Sequence, residues 1–167
     1  TKGPLKAVAE KMVIYIDDKH AVLEGNIQLT RVPESDPLLD SREAKLKSDY
    51  TYMTADSLAY YEVSDQPYVS VTGNIRVWQT DKSVVADTAY YDGHNHTYGL
   101  VGEVKIEADS MDWLVDTDRK HAFSDDHARS AIEMAFILNT SEFEFDSSNR
   151  ILTLSGFVEF LQSDKKV

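Results

Sequence analysis

Apolar and polar residues alternate with a period of two through most of this chain, and four alternating stretches superpose on one nine-residue frame. They are Ala21 to Leu29, Val69 to Val77, Tyr98 to Ile106 and Leu152 to Phe160, each centred on a glycine: Gly25, Gly73, Gly102 and Gly156. Residues two and four positions from the glycine are apolar or small. The odd positions after it are mostly polar, as in Asn26, Gln28, Asn74, Arg76, Glu103 and Lys105, with Phe157 a partial exception. A β-strand with one buried face requires this alternation, because successive side chains leave the backbone on opposite sides. The frame puts each glycine on the apolar side, where a missing side chain permits a bend or bulge, or leaves room against the backbone. Repeats sharing one apolar stripe predict a stacked, elongated β-structure with a continuous inner surface.

Further strand signals lie at Met12 to Ile16, Val84 to Ala86, and Phe143 with Phe145. Turn residues separate them at Asp17-Asp18-Lys19, Ser64 to Pro67, Asp92 to Asn95 and Ser147-Ser148-Asn149. A second repeated element, Ala-Asp followed by an aromatic, occurs at Ala55 to Tyr60 and Ala108 to Trp113, and in shorter form at Ala86 to Tyr90. The unit reads as an Ala-Asp strand, a turn, then a strand through glycine. Two of the three intervals between the frame glycines are about double the other, which predicts a degenerate unit hidden in each. Residues 32–52, with Pro33, Pro37 and a charged run, are expected to form a loop insertion within a single domain spanning 1–167. Ile132, Met134, Phe136 and Leu138 alternate as a strand.

The net charge of -12 argues against nucleic acid and against anionic headgroup surfaces, both of which need clustered Lys and Arg. No apolar run approaches the roughly 20 residues of a membrane-spanning helix. The absence of cysteine excludes disulfides, thiolate catalysis and Cys-based zinc sites. The chain opens at Thr1-Lys2-Gly3-Pro4 with neither an initiator methionine nor an apolar leader, so it is expected to be a trimmed sequence from which any signal peptide or anchor, if there was one, has been removed.

Catalytic patterns are missing: there is no Gly-x-Ser-x-Gly elbow, no His-Glu-x-x-His and no phosphate-binding glycine loop. His94 and His96 beside Asp92, and the Asp125-Asp126-His127 cluster, could ligate a metal. Both fall in expected turns, where these residue types are favoured for backbone reasons, so no metal or cofactor is assigned. Tyr60-Tyr61, Tyr90-Tyr91, Trp78 and Trp113 could stack on sugars, or simply fill a sheet face.

The order of these motifs resembles the OstA-like domain of lipopolysaccharide-transport proteins, the family of the periplasmic bridge protein LptA. Leu23-Glu24-Gly25-Asn26-Ile27, Ala55 to Tyr60, Val71 to Ile75, Ala86-Asp87, Gly102-Glu103-Val104, Ala108 to Trp113 and Ala122 to Asp125 carry the likeness. It covers about residues 6–31 and 53–130. The resemblance implies an all-β, open, twisted β-jelly roll of repeated β-hairpins, located in the periplasm, whose interior shields lipopolysaccharide acyl chains. It also implies partners: lipopolysaccharide, and other OstA-like domains, self included, joined edge strand to edge strand. The 32–52 insertion and the added strands around Gly156 depart from a minimal LptA, leaving LptC and the amino-terminal part of LptD as alternatives within the family.

Carrying lipid through water exposes about 0.8 kcal/mol of unfavourable hydration per methylene, on the order of 10 kcal/mol for one chain of about 12 carbons. A continuous apolar trough offsets that along the whole path. Leu23, Ile27, Leu29, Val71, Ile75, Val77, Leu100, Val104, Ile106, Leu154, Val158 and Phe160 would line it if the strands pack in register. The same side chains could instead close on one another as a dry core. Met12 to Ile16 and Ile151 to Phe160 are candidate joining edges, and Lys11, Asp17 and Glu159 are the charges that would block them. The expected function is therefore non-enzymatic lipid carriage; a carbohydrate-binding or structural β-solenoid or sandwich module of the envelope is the alternative.

Overall fold

The computed structural model describes residues 5–34, 46–113 and 134–163. Their strands form one antiparallel sheet. In chain order they are β1 (Leu5–Val8), β2 (Lys11–Tyr15), β3 (His20–Arg31), β4 (Thr51–Val63), β5 (Gln66–Trp78), β6 (Lys82–Asp92), β7 (Thr97–Ala108), β8 (Ala135–Asp146) and β9 (Ile151–Ser163). From β3 to β9 each strand pairs with its sequence neighbours, while β1 and β2 both pair with β3. β9 and the β1/β2 pair are the two edges and do not meet, so the sheet is open. Tight turns join the hairpins: Asp92 accepts the backbone N–H groups of His94 at 3.0 Å and Asn95 at 3.2 Å, and Asp146 does the same for Ser148 and Asn149. Both carboxyls are held below the usual carboxylate range, chiefly by the side-chain amides of Asn95 and Asn149. This is turn chemistry at the site where a His-Asp metal cluster was considered.

One irregularity recurs in every odd strand from β3 to β9. Between Glu24↔Ser57 and Ile27↔Ala55, Gly25-Asn26 stands against Asp56 alone, and Gly73-Asn74 stands in the same way against Asp87. Gly102-Glu103 and Gly156-Phe157 both face Ser141. Two residues opposing one is a β-bulge, which bends the strand and tightens its twist. Aligned across the sheet, the bulges make one transverse crease, which divides each long strand into two halves and folds the sheet into a jelly roll.

The glycines stand differently from the sequence frame. Gly73 has φ +81, and a Cβ built there would lie 2.4 Å from Oδ2 of the exposed Asp56, not within the apolar stripe. Gly25, Gly102 and Gly156 repeat the geometry against Glu10, Asp87 and Ser141. The extra bulge residue reverses the alternation locally, so the glycine turns to the outer face and the apolar stripe resumes beyond it.

The Ala-Asp element is the partner of this bulge. Ala55 and Ala86 are buried on the inner face, while Asp56 and Asp87 receive the glycine outside; Asn74 Nδ2 donates to Asp56 at 2.9 Å. Ala9-Glu10, between β1 and β2, plays the same part, with Glu10 N–H donating to Gly25 O at 3.0 Å. The third sequence copy departs from the pattern. Ala108 ends β7, Asp109 N–H turns to Asp81 O at 3.0 Å, and Trp113 folds back to donate to Ser110 O at 2.8 Å. No hidden glycine unit occurs among the described residues; the long intervals reflect the connections between β3 and β4 and between β7 and β8. The expected strand at 132–138 is found as β8, beginning at Ala135; Ile132 and the Ala122 to His127 motifs lie outside the described residues.

Candidate functional site: an apolar inner face

Directly paired residues on neighbouring strands project to the same side, so the register defines rungs across the sheet. One rung reads Leu29, Met53, Val77, Val84, Ile106, Leu138, Phe160 without a break from β3 to β9. On the far side of the crease runs Leu23, Leu58, Val71, Ala89, Leu100, Phe143, Leu154, extended by Met12 of β2. At the crease itself Ile27 pairs with Ala55, Ile75 with Ala86, and Val104 with Thr140, which pairs with Val158. All twelve residues named from the sequence as groove candidates thus fall on three adjacent rungs of one face.

The face is unevenly covered. Ile27 is 0% exposed, and Ile75, Val104 and Ile106 are each 1% exposed, close to or at the crease where the two halves screen them. Val158 and Phe160, on the same rungs but at the β9 edge, are each 46% exposed. Met12 and Ile14 are exposed at the opposite edge. The rungs therefore run from one open end to the other and are filled in the middle. The even strands supply Met53, Leu58, Ala89, Leu138 and Phe143, which the sequence reading left unassigned. Small Ala55 and Ala86 sit beside large Ile75, so size alternates along the crease.

Leu46 and Trp113, from the two long connections, pack onto Ala108, Phe136 and Leu138 at the strand ends remote from the crease. Trp113 stacks on Phe136 with centroids 6.3 Å apart. Here the inner face turns polar. Arg31 Nη2 donates to Leu46 O and Thr51 Oγ1, both at 2.9 Å, and Gln79 Nε2 reaches the same two acceptors. Lys82 Nζ donates to Gln79 Oε1 at 2.9 Å and to Asp81 at 2.6 Å, and lies 5.7 Å from the Trp113 ring centre.

Several of the tyrosines contact one another, while Tyr60 is 36% exposed. Tyr15, His20, Tyr61, Tyr68 and Tyr90 contact one another in a row, with Tyr61 and Tyr68 stacked at 4.9 Å and Tyr68 and Tyr90 at 6.4 Å. Tyr90 also lies over Gly99 and donates to Glu144 at 3.0 Å; burial and that carboxylate push its phenol up to about 12. Among the described residues no three His, Cys, Asp or Glu side chains are placed to share a metal ion, and no helix is long and apolar enough to cross a membrane.

A single antiparallel sheet, creased and open at both edges, with one continuous apolar inner face, defines an LptA-like β-jelly roll. Among solved structures the chain is similar to LptH of Pseudomonas aeruginosa, the LptA-homologous periplasmic component of the lipopolysaccharide transport device. The TM-score is 0.54 with 10% sequence identity, over 95% of this chain and 94% of that one. No protein-family profile and no curated protein matches by sequence.

Proposed function

We propose that this chain is a non-enzymatic periplasmic carrier of lipopolysaccharide, acting as one single-domain segment of a bridge toward the outer membrane. The observation that carries the reading is the unbroken set of apolar rungs, running perpendicular to the strands and emerging at both edges. Acyl chains lie along the rungs between the two halves of the sheet, and the phosphorylated sugars stay in solvent. Leu23, Leu29, Val71, Val77, Leu100 and Leu154 flank the path, while Val158 and Phe160 form one mouth. Passage requires the side chains at the crease to part, which a folded-over sheet joined along one line permits.

The edges continue the path. β9 and β2 each present unpaired backbone and exposed apolar side chains, and strand addition from another domain of this fold would extend the sheet and the trough together. The similarity to LptH supports this reading, because that protein is a periplasmic component of lipopolysaccharide transport.

Displacement of a fluorescent fatty-acyl probe by lipopolysaccharide tests the proposal. Leu100→Asp places a charge on the inner face and is expected to weaken binding roughly tenfold or more, whereas Val101→Asp, one residue on and facing outward, changes it less than about twofold. Equal loss in both variants, or no displacement from the native chain, contradicts carriage.

A further inference from the structure

Two residues farther from the crease than the rung of Leu23 and Leu154, the inner face carries one more complete rung. It reads Ile14, Ala21, Tyr60, Val69, Tyr91, Tyr98, Phe145, Leu152, paired strand by strand from β2 to β9. Its tyrosines are open to solvent: Tyr60 and Tyr98 are exposed, Tyr98 by 48%, and Tyr91 is half-buried with its ring centroid 4.6 Å from that of Tyr98. Beyond this rung the wall becomes charged. Tyr60 Oη lies 3.5 Å from Glu62 Oε1, and Lys19 Nζ is engaged by Glu62 at 3.3 Å and Asp65 at 3.7 Å. Outward from the crease, this half of the sheet passes from sealed aliphatic side chains to tyrosine and then to charge. The end of the other half is built differently. There Leu46 and Trp113 pack onto Ala108 and Phe136, and Arg31 and Gln79 both donate to Leu46 O.

An amphiphile whose hydrocarbon lies between the two halves must place its head beyond the apolar rungs. The crease is filled by Ile27, Ile75 and Val104, and the Arg31 end is occupied by Leu46 and Trp113. The tyrosine rung is the remaining boundary, and a phenol suits one: its ring packs against hydrocarbon or the C–H face of a sugar while its hydroxyl donates and accepts hydrogen bonds on the wet side. We propose that Tyr60, Tyr91 and Tyr98 form a head subsite of the trough, packing against the uncharged sugar next to the acyl chains of a glycolipid. The inference rests on the carrier reading and gives the cargo an orientation, with tails toward the crease, sugar along the tyrosines and phosphates out in solvent. Charge favours a sugar over an anion at the subsite itself. Lys19 is shared by two carboxylates, Glu62 and Asp65, so that rim repels anions.

The experiment titrates the full chain calorimetrically with dodecyl maltoside, dodecyldimethylamine oxide and maltose, keeping both amphiphiles below their micellar concentrations. The two amphiphiles share a tail, carry no net charge at neutral pH and differ in the sugar. Dodecyl maltoside is expected to bind roughly tenfold tighter than the amine oxide, and maltose far more weakly than either. Tyr91→Leu with Tyr98→Leu keeps the rung apolar and should bring dodecyl maltoside down to the affinity of the amine oxide, which itself changes less than about twofold. If a thermal melt shows that the double variant does not fold, Tyr60→Leu carries the expectation, with a loss of about threefold confined to dodecyl maltoside. Equal affinity for the two amphiphiles in the native chain overturns the head subsite and leaves carriage standing. A tyrosine variant that keeps the native preference, or loses both amphiphiles equally, does the same. Maltose binding as tightly as dodecyl maltoside also overturns it, since a free glycan would then suffice. Binding of neither amphiphile overturns both the subsite and the carrier reading.

Discussion

At the scale of single residues, the crease depends on backbone that few side chains tolerate. Gly25, Gly73 and Gly102 and the residues after them have left-handed φ, with Asn26 at 45, Asn74 at 49 and Glu103 at 45. Asparagine enters this region more readily than other non-glycine residues, and here its amide also bonds the neighbouring acid: Asn26 to Glu10, Asn74 to Asp56. Glu103 follows Gly102, against which Asp87 packs, and has no amide to offer that carboxylate. Glu103→Asn is therefore expected to stabilise the chain by about 0.5–1.5 kcal/mol, seen as a rise of roughly 1–6 °C in Tm. Gly73→Ala is expected to cost at least 1–2 kcal/mol, roughly the left-handed penalty alone, before any displacement of Asp56. A thermal melt in which Glu103→Asn is neutral or Gly73→Ala is harmless would contradict the crease geometry. Tyr90 gives a separate check. Its folded phenol titrates near 12, above its ordinary 10, so its contribution is complete below pH 10 and is lost as pH rises toward 12. Tyr90→Phe should flatten the alkaline decline in stability across that interval, measured by urea unfolding at stepped pH; an unchanged slope would count against the buried phenol.

At the scale of elements, the odd strands were readable because each carries bulky residues on both sides of a glycine. The even strands were also read as strands, but their inward side chains at the crease were not picked out, for a physical reason. Where β4 and β6 cross the crease they need alanine opposite isoleucine, so their inward positions look nearly featureless in sequence. β8 hides further: Thr140 and Ser141 occupy the places held by Ala and Asp elsewhere, and Asn139-Thr140-Ser141 reads as a loop although it lies within the strand. Ala108 to Trp113 misleads in the opposite sense, since its residue types match the repeat but the chain has already left the sheet. The polar end of the inner face was invisible because Arg31, Thr51, Gln79 and Lys82 come together only through pairing between distant strands. The edges follow from the same register. If β9 and β2 join copies of this chain, Val158→Lys with Phe160→Lys should shift a concentration-dependent assembly toward monomer in sedimentation velocity, while Lys105→Glu on the outer face of the interior strand β7 should not. A native chain that stays monomeric at every concentration would limit edge joining to other partners.

At the scale of the whole molecule, the crease and the rungs act together. A flat sheet of this length would expose its apolar side to water, and a closed barrel would have no edges through which lipid could pass on. Folding along one line covers the face and keeps both ends open. Charge follows the same division, because the inner rungs are almost entirely uncharged while the acidic residues concentrate outside, among them Glu10, Asp56 and Asp87. The central claim is that hydrocarbon occupies the inner face. It is tested most directly by placing a photo-crosslinking amino acid in turn at Leu29 and Leu100, which face inward, and at Gln28 and Val101, their outward neighbours, then irradiating with lipopolysaccharide. Crosslinks from Leu29 and Leu100 alone are the predicted result; crosslinks of equal yield from all four positions, or from the outward pair only, would contradict it.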